Sequence, residues 1–279
     1  MSRSLAFFIL AAALAPPAAA VKPQVPPSQA TQSDALRAAT DAATRTASNR
    51  ERDRYRHPYE TLTFFGVKPS DTVVEIYPGA GWYTEILAPY LANNGSLALV
   101  ATDPQLKRMR DKAAAEPKTY QSVVFSPLAA WTDTPAFPAG SADVVLTFRN
   151  VHNWHMQGQS ADAFKAFYAM LKPGGTLGVV EHRLPESRPD SDMDKSGYMK
   201  RSLVVAAAEA AGFKLAGSSE INANPKDTAD WPDGVWTLPP SLWLGDKDRA
   251  KYIAIGESDR MTLKFVKPAA ARAAPERGR

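Results

Sequence analysis

From residue 72 to residue 180 two hydrophobic patterns alternate along the chain. Short apolar runs rich in β-branched residues, at 72–77, 97–102, 123–125, 143–148 and 176–180, predict strands. Between them, 83–91, 104–115 and 161–171 carry apolar residues at helical spacing. In the last of these, Phe164, Phe167, Tyr168 and Leu171 fall on one face, Ser160 stands at the N-cap position, and Pro173-Gly174-Gly175 follows as a stop. Strands that are apolar throughout need cover on both faces, and amphipathic helices supply it. The alternation therefore predicts an α/β protein with a parallel sheet between two helical layers. A helix over 197–211, a strand over 214–221 and a last strand over 261–266 extend the series.

The flanks read differently. From Asp34, a candidate N-cap, a helical stretch runs towards Arg56, and His57-Pro58 breaks it. A short helix around TLTFF then ends at Gly66. About 40 residues separate the last two strands and contain Trp231, Trp236 and Trp243. A loop of that length is often functional, and the plain alternative is an Ω-loop that covers the sheet. The chain opens MSRSLAFFILAAALAPPAAA, with Arg3, an apolar run from Leu5 to Leu14, and Ala18-Ala19-Ala20. That order predicts a signal peptide over 1–20, cleaved before Val21, and a periplasmic or secreted bacterial protein. The apolar run is shorter than the roughly 20 residues that span a bilayer, so no stable membrane insertion is expected after cleavage. Residues 21–33, rich in Pro, Gln and Ser, predict a flexible linker, and 268–279 a disordered tail. The folded domain is then 34–267, with 34–70 as an N-terminal helical lid and 222–260 as an insertion.

Charge and composition narrow the function. The net charge of +4 over 279 residues is mild, and Arg50, Arg52, Arg54 and Arg56 are interleaved with Glu51 and Asp53. That run reads as a solvated helix face, and no nucleic-acid partner is expected. With no cysteine in the chain, disulfides, Cys-ligated zinc and a thiol nucleophile are excluded.

The stretch EIYPGAGWYT, residues 75–84, follows the first predicted strand and opens a helix. Gly79 and Gly81 permit a sharp turn and close approach of a ligand to the main chain, beside free N–H groups at a helix start. Glu75 places a carboxylate at the same crevice. Asp103 ends the second strand, where an acid accepts hydrogen bonds from ribose hydroxyls. No Gly-Lys-Ser/Thr ending or full G-x-G-x-x-G spacing is present, which favours a nucleoside ligand without a pyrophosphate.

From Thr72 to Phe213 the chain resembles the class I S-adenosylmethionine-dependent methyltransferases, and most closely the exported bacterial members. VVEIYPGAGWYTEILAPYL is similar to their first motif, ADVVLTFRNVHNW to their fourth-strand motif, and MLKPGGTLGVVEH to their turn into the fifth strand. The resemblance implies a three-layer, Rossmann-like seven-stranded sheet, six strands parallel and the last antiparallel. It implies S-adenosylmethionine as cofactor, with Glu75 and Tyr77, Pro78, Gly79, Ala80 and Gly81 facing its methionine part and Asp103 its ribose. Tyr77 departs from the pattern, standing where the family's first glycine usually is, and Pro78 removes one N–H.

In such a sheet ligands bind beyond the carboxyl ends of the parallel strands. His152 and His155 follow the fourth strand and His182 the fifth. Methyl transfer requires alignment of nucleophile and methyl group and often removal of a proton. His152 or His182 is the candidate base, with Arg149 and Asn150 orienting a small-molecule acceptor. Two other readings stand beside the methyltransferase. One is an exported, non-catalytic binding protein on the same fold. The other is a metal enzyme using His152, His155, His182 and Glu181. The polar segment IGESDRM, residues 255–261, either bonds across the mouth of the site or closes a turn.

Overall fold

The computed structural model describes residues 29–132 and 137–269. The signal-peptide expectation at 1–20, most of the linker at 21–33 and nearly all of the tail at 268–279 lie outside the described residues. Eight strands form the sheet: β1 (Thr72–Ile76), β2 (Ser96–Ala101), β3 (Val123–Pro127), β4 (Ala142–Phe148), β5 (Leu171–Leu184), β6 (Met199–Lys200), β7 (Lys214–Ser219) and β8 (Arg260–Val266). Their order is β3-β2-β1-β4-β5-β8-β7, with the two-residue β6 pairing beside β5. β8 is antiparallel to both of its neighbours, and the other pairings are parallel. The Rossmann-like class and the antiparallel last strand are as expected, with β6 added.

Helices cover both faces. On one, Phe164 and Phe167 of the helix Ser160–Met170 pack with Trp154, Val74, Ile76 and Val145. On the other, Ile86 and Leu87 of the helix Thr84–Leu91 pack with Leu62, Val73, Leu99 and Leu146. Each fully buried side chain of this kind contributes about 1.5–3 kcal/mol. Among the described residues, no helix is long and apolar enough to cross a membrane.

Several boundaries differ from the sequence pattern for local reasons. The N-terminal helix is Gln29–Thr40, so Asp34 lies within it rather than at its start. It stops where the Arg45 guanidinium donates to Thr40 O at 2.6 Å and pairs with Asp53 at 2.7 and 2.9 Å, turning the chain into the short helices Ala47–Arg50 and Asp53–Arg56. The His57-Pro58 break is present: His57 is left-handed and Pro58 opens the helix Pro58–Phe65. Ser160 is the first helical residue and Gln159 the N-cap. Pro173-Gly174-Gly175 does not delay the strand. It forms an irregularity inside β5, secured by Gly174 N donating to Lys267 O and Lys267 N donating to Gly175 O. The helix expected from 197 begins at Arg201, because left-handed Gly197 ends one turn and β6 intervenes. Residues Val151–Met156, after the fourth parallel strand, form a short helix.

Candidate active site

A cavity of about 350 Å3 opens beyond the carboxyl ends of β1, β4 and β5, within the size range of small-molecule sites. Its floor is the turn after β1. Tyr77 N donates to Val100 O at 2.8 Å, carrying the chain past the strand end. Tyr77 (φ 52°), Gly79 (φ 60°) and Gly81 (φ 82°) are all left-handed. For tyrosine that conformation costs about 1–2 kcal/mol. The cost is offset by packing of its ring against Trp131 and Trp154, with centroids at 5.6 and 5.7 Å. Asn150 Nδ2 reinforces the turn by donating to Ile76 O and Tyr77 O. The two glycines differ. A Cβ on Gly79 would meet nothing within 4 Å, whereas one on Gly81 would strike Met109. Glu75 is buried and accepts from Thr84 Oγ1 at 2.7 Å. Burial pushes its carboxyl up to about 7.

The walls carry bases and cations. His152, on the short helix after β4, is held through Nδ1 by Glu181 Oε1 at 2.9 Å, and the same carboxylate oxygen accepts from His182 N at 2.7 Å. A carboxylate only accepts, so Nδ1 carries a proton, and in the neutral ring Nε2 is the atom with the lone pair. His182 Nδ1 and Ser258 Oγ share a hydrogen bond of 2.5 Å. Burial, then His152 and the nearby arginines, hold His182 well below its usual range, so it is neutral. Arg149 has φ 61° and anchors its backbone on Val180 O at 2.7 Å. Burial brings its guanidinium down to about 10.

The N-terminal segment and the chain before β8 close the cavity. Glu257 accepts from Arg52 Nε at 2.5 Å, Arg56 Nε at 3.0 Å and Arg260 Nη1 at 3.1 Å. The arginines hold its carboxyl down at about 2, against burial. Trp236, stacked on Trp243 at 5.0 Å, and Pro239-Pro240 bring the long insertion to the rim.

Glu75, Tyr77, Pro78, Gly79, Ala80, Arg149, Asn150, His152 and His182 therefore share one cavity. Gly81 is buried beneath its edge. Asp103 is outside the lining. It opens the helix Asp103–Ala115, is 68% exposed, and pairs with Arg110 at 2.9 Å. His155 is also outside and lies 3.3 Å from Asp194. The metal reading thus loses His155. His152, Glu181 and His182 can still offer three ligand atoms within 4.8 Å. However, the arginines that depress His182 would oppose a cation there.

Sequence reasoning missed Arg52 and Arg56. The arginine run is not a uniformly solvated face: Arg50 and Arg54 are exposed, Arg52 is half-buried and Arg56 is buried. Glu257 and Ser258 resolve the IGESDRM alternatives, since both reach into the cavity. The signal available for these residues was Glu257 itself, a carboxylate three residues before the last strand.

Residues 74–179 match a family model described as a methyltransferase domain. Together with the fold, that match supports the class I S-adenosylmethionine-dependent methyltransferase family. A SAM-dependent methyltransferase from Aquifex aeolicus superposes with a TM-score of 0.54 at 13% identity, covering 84% of this chain and 98% of that one. The [4+2]-cyclase SpnF gives 0.56 at 17% identity, covering 82% and 86%. A geranyl diphosphate methyltransferase in complex with SAM gives 0.54 at 14%, covering 83% and 94%. These likenesses concern the fold. No curated protein sequence matches the chain.

Proposed function

We propose that this protein is an S-adenosylmethionine-dependent methyltransferase acting on a small-molecule acceptor. The observation that carries the reading is a juxtaposition. The open Gly79 turn beside buried Glu75 shares one cavity with a carboxylate-held histidine, His152.

The residues fit the cofactor at its amino-acid end. Nothing would obstruct approach to Gly79, and Glu75 offers a carboxylate to an ammonium group. At the nucleoside end Asp103 is exposed on the surface, outside the cavity lining. When bound, the cofactor supplies an electrophilic methyl group on a sulfonium sulfur. Thr84 holds the Glu75 carboxylate in place. Asn150, whose amide donates to Ile76 O, Tyr77 O and Thr147 Oγ1, fixes that turn at the cavity wall. Glu181 fixes the His152 tautomer, so that Nε2 accepts the acceptor's proton, and neutral His182 is the alternate base. Trp236 and the two prolines exclude water from an apolar part of the acceptor.

Calorimetric titration with S-adenosylhomocysteine tests the reading. Micromolar binding, weakened by Gly79→Ala and by Asp103→Ala, is expected. No binding by folded protein rejects it. A non-catalytic binding protein on the same fold is the second reading, favoured by one observation: Asp103 is committed to Arg110 rather than to the cavity. That reading gains if the Asp103 variant binds as the parent does. Export through residues 1–20 is part of the proposal, and N-terminal sequencing of the mature protein, expected to begin at Val21, tests it.

A further inference from the structure

The cavity holds more positive charge than its own residues neutralise. Arg52, Arg56 and Arg260 converge on a single carboxylate, Glu257, and Arg149 lines the same cavity with no hydrogen-bonding or ion-pair partner for its guanidinium among the described residues. Arg52 Nη2 and Arg56 Nη2 are buried and also lack a hydrogen-bond partner. A buried guanidinium N–H left unpaired costs more than a neutral donor would, and chains retain such groups where a ligand completes them. The other carboxylates nearby make no hydrogen bond to these arginines: Glu181 accepts from His152 and the His182 backbone, and Glu75 from Thr84.

We infer that Arg52, Arg56 and Arg149 form a subsite for an oxyanion, a carboxylate or a phosphate, carried by the methyl acceptor. The designation as acceptor rests on the transferase reading, while the subsite rests on the arginines alone. Guanidinium forks match the paired oxygens of both groups, and both make charge-assisted hydrogen bonds stronger than neutral ones. The cofactor's single carboxylate would engage only part of this set, because three guanidiniums share one glutamate and Arg149 has none. The position suits an acceptor. Arg149 and His152 are three residues apart after β4, and His152 lies against Trp236 at 6.1 Å between ring centroids. An acceptor with its anion on the arginines therefore has its body beside the indole and its nucleophile within reach of the base.

The test titrates the full chain with inorganic phosphate and, separately, with benzoate. Chloride at equal ionic strength is the control, and each titration is run with and without saturating S-adenosylhomocysteine. At least one oxyanion is expected to bind above chloride in both conditions. Preference for phosphate or for benzoate then assigns the group. Arg149→Ala is expected to weaken that binding about tenfold or more, and Arg149→Lys, which keeps charge but loses the fork, about threefold. The lysine variant serves if the alanine variant fails to fold. Binding no better than chloride, or unchanged in both variants, overturns the inference. So does oxyanion binding abolished by S-adenosylhomocysteine, because the arginines would then hold the cofactor's carboxylate. If S-adenosylhomocysteine fails to bind while the oxyanion binds through Arg149, the subsite stands and the transferase reading falls.

Discussion

Two arginine clusters meet the chain just before β8, two residues apart, and they are built on opposite principles. At Asp259, a single guanidinium, Arg183, has carboxylates on two sides, Asp259 at 2.7 Å and Glu220 at 2.8 Å, and these raise its pKa. At Glu257, three guanidiniums share one carboxylate and a fourth, Arg149, has no partner among the described residues, and burial with mutual repulsion drives Arg56 well below its usual range. The first cluster is closed and needs nothing more. The second leaves Arg52 Nη2, Arg56 Nη2 and Arg260 Nε buried without a hydrogen-bond partner among the described residues. The β1 turn repeats the contrast at smaller scale, with Gly81 packed against Met109 and Gly79 facing open space. Sites are recognised here by interactions left incomplete.

The largest expected effect is Glu257→Gln, which strips buried Arg56 and Arg260 and half-buried Arg52 of their shared charged partner and should cost about 3–5 kcal/mol in urea unfolding. Added phosphate should recover part of that loss. Asp259→Asn, in a half-exposed cluster, should cost about 1 kcal/mol with no recovery. Equal losses, or equal recovery, would erase the distinction between the clusters.

The pH profile sharpens it next. Folded Glu75 keeps its proton to about pH 7, against 4.5 for an ordinary glutamate. The folded state therefore binds more protons between these values, and stability falls by about 3 kcal/mol as pH rises through that window. Glu75→Gln should flatten that limb. Glu257 has the opposite sign. Its folded value is about 2, so its contribution is present above pH 4.5 and is lost as pH falls from 4.5 towards 2. A limb between pH 4.5 and 7 that survives in Glu75→Gln would refute the assignment.

In the turn, Gly81→Ala should cost about 2–3 kcal/mol, because a left-handed alanine must also displace Met109. Gly79→Ala should cost only about 1 kcal/mol of stability yet weaken S-adenosylhomocysteine more than Gly81→Ala does. The smallest effect belongs to Trp243→Ala. Its side chain is 63% exposed, and removal should change stability by less than about 0.5 kcal/mol.

The fold was legible because its signals are local and repeated. Apolar β-branched runs alternate with helical stripes, and turn residues separate them. The turn after β1 was legible for the same reason, being part of ten consecutive residues. The anion subsite was hidden because its members come from three distant parts of the chain, at 52–56, 149 and 257–260. Only tertiary structure makes neighbours of these residues. The interleaved acids at Glu51 and Asp53 suggested a solvated stripe. In fact Asp53 pairs with Arg45, and the fold separates exposed Arg50 and Arg54 from the inward Arg52 and Arg56. Asp103 shows the converse. Its position after β2 fits a ribose contact, but as the first residue of its helix it turns outward to Arg110.

The segment that brings Arg52 and Arg56 to the cavity is moored at its other end by Glu85, which accepts from Thr46 N, Thr46 Oγ1 and Asn49 Nδ2. Residues 46–56 are thus a strap with one hydrogen-bonded hinge and one ionic clasp. An anion lying between Arg56 and Arg149 would tie the strap to the end of β4, so that the ligand fastens the cover over itself. Release would then be governed by the clasp, and the dissociation rate of an anionic product should rise steeply with ionic strength.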